Sequence, residues 1–90
     1  MIDKKFEFEF KDESSANRIS FEYDDSDEEI LNTSIDNGML TIYGNRPTFM
    51  ALSKIFAKLA LCNYKAGFHI HLREDFDGDK EDILTVMLIE

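Results

Sequence analysis

The feature that most constrains this chain is a double change of hydrophobic period. Alternation by two runs to Tyr43, spacings of three and four run from Phe49 to Asn63, and alternation by two returns from Phe68. Side chains alternate between faces in a strand and return to one face every third or fourth residue in a helix. One helix set between groups of strands is the arrangement this pattern dictates.

Lys5-Phe6-Glu7-Phe8-Glu9-Phe10-Lys11 alternates strictly, with the phenylalanines on one face and the charges on the other. After a polar turn at residues 12–17, Ile19, Phe21 and Tyr23 repeat the alternation, and the two segments are expected to pair as a hairpin. Ile30 to Ile35 is a weaker strand. It is joined through Asp36-Asn37-Gly38, residues that tolerate a tight left-handed turn, to a strand over Met39–Tyr43.

At Gly44-Asn45-Arg46-Pro47 the helix begins, with Pro47 in the first turn, where a missing amide hydrogen costs nothing. Phe49, Leu52, Phe56, Leu59 and Asn63 define its apolar stripe, widened by Ile55, Ala60 and Cys62. Lys54, Lys58 and Lys65 fall at the margins or in solvent. The helix is expected to reach about Tyr64 and to stop near Gly67. Beyond it, Phe68, Ile70 and Leu72 share one strand face and His69 and His71 the other. Residues 83–89 are apolar on both faces, as in a central strand. The expected fold is α+β: a mainly antiparallel sheet of five to six strands with one long helix packed on one face, in the order β-β-β-β-α-β-β. At 90 residues the chain is expected to form a single domain, 1–90.

Charge narrows the functions. Nineteen acids against ten bases give −9, which disfavours nucleic acid and anionic lipid as partners. The excess is uneven: residues 1–29 hold eleven acids and four bases, 30–65 one acid and four bases, and 66–90 seven acids and two bases. No apolar run approaches the roughly 20 residues of a membrane span, and no signal-peptide core follows Met1, so a cytoplasmic, soluble protein is expected.

Chemistry-bearing motifs are sparse. His69 and His71 would stand about 7 Å apart on one strand face, but two imidazoles without a third directed ligand do not make a zinc site. Asp75 to Asp82 evokes a calcium loop, yet with Asp75 first the glycine falls at the fourth place and Val86 occupies the twelfth. Cys62 has no cysteine partner, and neither a phosphate-binding glycine spacing nor a nucleophile elbow is present. The residues therefore read as a non-enzyme, with no catalytic, cofactor or metal positions.

The junction Thr41-Ile42-Tyr43-Gly44-Asn45-Arg46, the helix with Phe49, Leu52, Ala57, Leu59 and Ala60, and Phe68-His69-Ile70-His71-Leu72 together resemble immunity protein family thirty-two of bacterial polymorphic toxin systems, over about residues 39–90. The resemblance implies stoichiometric neutralisation of a cognate protein toxin. It carries over to Gly44, Asn45 and Leu72 as structural positions and to His69 and His71 as partner-facing ones.

An acidic inhibitor suits a basic, nuclease-type toxin, because complementary fields steer encounter. Candidate partner-binding residues are Tyr23, Asp24, Asp25, Asp27, Glu28, Glu29, His69, His71, Glu74, Asp75, Phe76, Asp77 and Asp79, with Gly44, Asn45 and Pro47 forming the strand-to-helix turn. The alternatives are a small adaptor or self-associating module, which leaves a homodimer open, and a histidine-based metal-binding protein.

Overall fold

In the computed structural model, which describes residues 1–22, 28–76 and 80–90, two hairpins flank a single α-helix. Strands β1 (Leu31–Asp36) and β2 (Met39–Gly44) pair antiparallel, and helix α1 (Arg46–Leu61) follows. Strands β3 (His69–Arg73) and β4 (Asp82–Met87) form the second antiparallel pair. The strands make two separate two-stranded sheets. This corrects the expected single sheet of five to six strands, while the α+β character stands.

The missing strands are the first two. Among residues 1–22 the regular element is a short 3-10 turn, Ser14–Ala16, closed by Asn17 in the left-handed region at φ 53°. Glu13 takes the Ser20 hydroxyl on its carboxylate and Asp12 takes the Asn63 amide, so this stretch folds locally and onto the helix end rather than into a ladder. Alternation specifies an extended chain with one apolar face. It does not specify that a neighbouring strand accepts the hydrogen bonds. Here the apolar face lies along α1: Phe8 and Phe10 stack at 5.1 Å between centroids, and the ammonium groups of Lys54 and Lys58 stand 5.2 and 5.8 Å from the Phe8 ring centre.

The first hairpin follows its turn chemistry. Asn37 and Gly38 have φ of 54° and 77°, the two positive values that a two-residue hairpin loop matched to strand twist requires. Helix α1 starts at Asn45, whose side chain accepts the Thr48 amide, with Pro47 in the first turn. Its end comes earlier than the periodicity implies. Cys62 is extended (ψ 165°), because Asn63 donates its amide to Asp12 and Tyr64 stacks on Phe68 while its hydroxyl donates to the Arg18 carbonyl.

The buried stripe of α1 is also rotated from the expected one. It is formed by Thr48, Ala51, Leu52, Ile55, Lys58 and Leu59, and the phenylalanines Phe49 and Phe56 are half exposed. Thr48 and Lys58 are tolerated there because other chain segments supply partners for their polar atoms. Thr48 Oγ1 accepts the Ile30 amide at 2.8 Å and stands 2.9 Å from the Ile30 carbonyl and 2.7 Å from Asn45 Oδ1, either of which its hydroxyl hydrogen can reach. Lys58 Nζ donates to the Ser20 carbonyl at 2.7 Å and to Glu22 at 2.9 Å.

The core joins Leu31 of β1, the apolar residues of α1, Ile70 and Leu72 of β3, and Phe76, with Ile19 and Phe21 of the N-terminal segment packed against it. Strand β4 is not the central strand its sequence suggests. Among the described residues it pairs with β3 alone, extended by the backbone bonds of Leu88 with Gly67 and Phe68, and Met87 and Ile89 are exposed.

Two expectations test how the N-terminal segment is held. Lys58→Ala removes two hydrogen bonds to a charged group, one of whose partners is part-exposed, and should cost about 1–3 kcal/mol in urea unfolding. The same change should speed tryptic cleavage after Arg18. The hydrogen bonds that Ser14 donates to Asp12, aided by the Asn63 amide, hold the Asp12 carboxyl below its ordinary range. Its contribution is therefore present above the unfolded-state value and lost as pH falls through the lower folded one. The stability difference between wild type and Asp12→Asn should shrink as the solution is acidified across that window.

Candidate functional site

Two acidic runs about 45 residues apart in the sequence are brought together by backbone and core contacts. The Leu31 amide, at the start of β1, donates to the Glu74 carbonyl at 3.1 Å, tying the chain just after Glu28 and Glu29 to the chain just after β3. Beside it, the Phe21 ring meets the Phe76 ring edge-on at 5.8 Å, tying the chain just before the first run to the second. The first run is also clamped to α1. Glu22 pairs with Lys58, and the Glu28 carbonyl accepts from Asn45 Nδ2 at 2.6 Å. These two helix anchors stand roughly 15–20 Å apart along the axis.

Phe76 makes this meeting possible and bears its strain. Its φ is 72°, a left-handed value that a bulky residue rarely adopts, and its side chain is fully enclosed. The Arg73–Phe76 backbone pair closes the turn with mutual hydrogen bonds of 2.9 Å. Burial of the ring against Phe21 and the core holds a conformation that costs on the order of 1–3 kcal/mol. Its ring is therefore packed in the core, whereas the sequence expectation placed Phe76 among the partner-binding candidates.

Glu28 and Glu74 are exposed, and Glu29 and Asp75 are half-buried. Tyr23, Asp24, Asp25 and Asp27, together with Asp77 and Asp79, lie outside the described residues. So does the turn expected from the sequence at Asp77-Gly78-Asp79.

The histidines sit where the alternation puts them. Ile70 and Leu72 are buried, and His69 and His71 share the outer face with ring centroids 5.1 Å apart, edge to face. Each ring has a local partner: His69 Nδ1 lies 3.0 Å from the Gly67 carbonyl, to which a protonated nitrogen donates, and His71 Nδ1 lies 3.0 Å from Thr85 Oγ1. Asp82 receives Arg73 Nε at 2.8 Å and stands 3.9 Å from His71 Nδ1, so its charge is shared with a guanidinium. Among the described residues no group of three His, Cys, Asp or Glu side chains converges as a metal would require.

Next to His69 an open hollow of about 610 Å³ is lined by Ser14, Asn17, Asn63, Tyr64 and Lys65 among others. These amide, hydroxyl and ammonium groups share the hollow with the His69 imidazole, whose Nδ1 is turned to the Gly67 carbonyl. Cys62 nearby is half-buried, and desolvation with the Asp12 charge and hydrogen bond pushes its thiol above the ordinary range, opposite to an activated nucleophile.

The turn residues have structural duties. Asn45 caps α1 and reaches back to Glu28. A methyl group on Gly44 would meet Thr48 Cγ2 at 3.0 Å and Phe49 Cζ at 3.3 Å, and Thr48 is fully buried and hydrogen-bonded. The rotated helix stripe escaped the sequence reading, and with it the roles of Thr48 and Lys58. Their one advance signal is spacing: residues 48, 51, 52, 55, 58 and 59 follow helical periodicity once a threonine and a lysine are admitted to it.

Phe76→Ala should cost about 3–5 kcal/mol by opening a cavity, and Phe76→Leu distinctly less. Both changes should raise amide exchange at Leu31 selectively if the ring holds the two segments together. No family model, curated protein or solved structure matches the chain.

Proposed function

We propose that this chain is a non-catalytic inhibitor of the immunity type, which neutralises a basic protein toxin in the cytoplasm by occupying its surface with the acidic end of the molecule. The observation that carries the reading is the Leu31–Glu74 hydrogen bond with the Phe21–Phe76 contact beside it, which together join two acidic segments distant in sequence. Concentrated negative charge accelerates encounter with a basic partner and stands in for the phosphates such a partner binds. A paired, strongly held scaffold limits the ordering cost of binding. The resemblance of residues 39–90 to immunity protein family thirty-two supplies the biological setting, and the exposed His69 and His71 adjoin the same β3–β4 hairpin.

The experiment is co-expression with the toxin encoded beside the gene, paired with association kinetics on the purified proteins. Protection and a one-to-one complex are expected, with an association rate that falls steeply as salt rises. The triple change Glu28→Lys, Glu29→Lys and Glu74→Lys should slow association at least tenfold at low salt, with the far-ultraviolet circular dichroism unchanged. Absence of both protection and binding overturns the reading.

A further inference from the structure

The β1–β2 hairpin is the least charged surface of an acidic chain. From Ile30 to Asn45 the one charged side chain is Asp36, against −9 for the whole protein. Its two faces differ in kind. The register Asn32↔Tyr43, Ser34↔Thr41 and Asp36↔Met39 gathers most of its polar groups on one side, where Ser34 Oγ is within hydrogen-bond reach of Asp36 and of the Tyr43 hydroxyl. The register Leu31↔Gly44, Thr33↔Ile42 and Ile35↔Leu40 makes the other side apolar.

That apolar side begins in the core and runs out of it. Leu31 is 1% exposed and Gly44 lies against Thr48 and Phe49, but Ile42 is 40%, Phe49 49%, Leu40 55% and Ile35 73% exposed. A two-stranded hairpin alone is marginally stable in water and needs a covered face or further strands. Proteins that remain monomeric blunt such strands with lysine, proline or a bulge. Strands β1 and β2 contain neither residue and their register is unbroken.

We propose that this face is the interface between two copies of the chain. Ile35, Leu40 and Ile42 of one copy pack across a twofold axis on the same residues of the other, with Phe49 at the margin. Two features select a second copy as the occupant. Molecules that each carry −9 repel through most of their surfaces and can join where charge is nearly absent, which is this hairpin. A twofold contact also requires a patch that complements itself, and a face of Ile35, Leu40 and Ile42 can meet its own kind with no charge left unpaired.

The area suits a pair. At roughly 200 Å² for each fully exposed large side chain, two copies would cover on the order of 900 Å² from these four residues. That is just below the ~1,000 Å² that separates specific interfaces from incidental contacts, before the strand backbone and Thr33 of the same face are added. The proposal is independent of the toxin reading. Ile35 and Leu40 stand four residues, about 13 Å, from Leu31 and Ile42 stands two, while the bond that joins the acidic segments is made by the Leu31 backbone amide and not by this side-chain face.

The test is sedimentation equilibrium of the full chain over a wide concentration range, with amide-resolved NMR spectra of the wild type on dilution. The expected mass approaches twice 10.5 kDa at high concentration, and dilution should shift resonances of residues 33–42 and Phe49. Leu40→Glu should weaken association at least tenfold. If that variant fails to fold, the wild-type dilution map decides. A wild type that stays monomeric throughout overturns the proposal. A dimer that survives in folded Leu40→Glu, or dilution shifts confined to other surfaces, does so equally.

Discussion

The buried ammonium of Lys58 is the constraint around which the N-terminal quarter of the molecule is arranged. A lysine on the inward face of a helix is tolerated when its charge and hydrogens are matched, and here the Ser20 carbonyl and the Glu22 carboxylate match them. Ten residues earlier on the same stripe, Thr48 makes a comparable demand and is answered by Ile30 and Asn45. Between them these two positions determine where the chain before β1 lies. Most of what sets this molecule apart from a bare helix with two hairpins follows from polar groups placed where periodicity asks for leucine.

The sequence was legible where local chemistry decides the outcome. Asn37-Gly38 can hardly be other than a hairpin turn, Asn45 and Pro47 open a helix, and the inward Ile70 and Leu72 with outward histidines follow from the pleat. It was illegible where a long-range partner decides. Phe6, Phe8 and Phe10 specify an extended segment, but whether that segment lies beside a strand or across a helix depends on a lysine some fifty residues away. The rotation of the helix stripe has the same origin. Half-exposed Phe49 and Phe56 outrank Thr48 and Lys58 on any hydrophobicity scale, and contacts reverse the order. For the candidate site, both acidic runs were visible as charge. Their adjacency was not, because it rests on one backbone hydrogen bond and one aromatic contact between segments with no sequence relation.

Charge and apolar exposure are separated along the β1–β2 hairpin. Glu28, Glu29 and Glu74 lie near the base of β1, whereas Ile35, Leu40 and Ile42 are exposed farther out along the same hairpin. Such a division lets one surface attract a basic partner through long-range fields while another makes a short-range contact that those fields would oppose. Leu31 is the hinge between the two, buried in the core with its amide bound to Glu74 and its strand continuing into the exposed face.

The clamp on Lys58 also orders events during synthesis. Residues 12–22 leave the ribosome before the groups that hold them, because Lys58, Asn63, Tyr64 and Phe76 are made some 36 to 55 residues later. The leading segment has no ladder of its own to form meanwhile, and contacts across such separations carry the largest loop-closure cost. Its docking consequently waits until α1 and the chain as far as Phe76 have been made, and the joining of the two acidic segments waits with it.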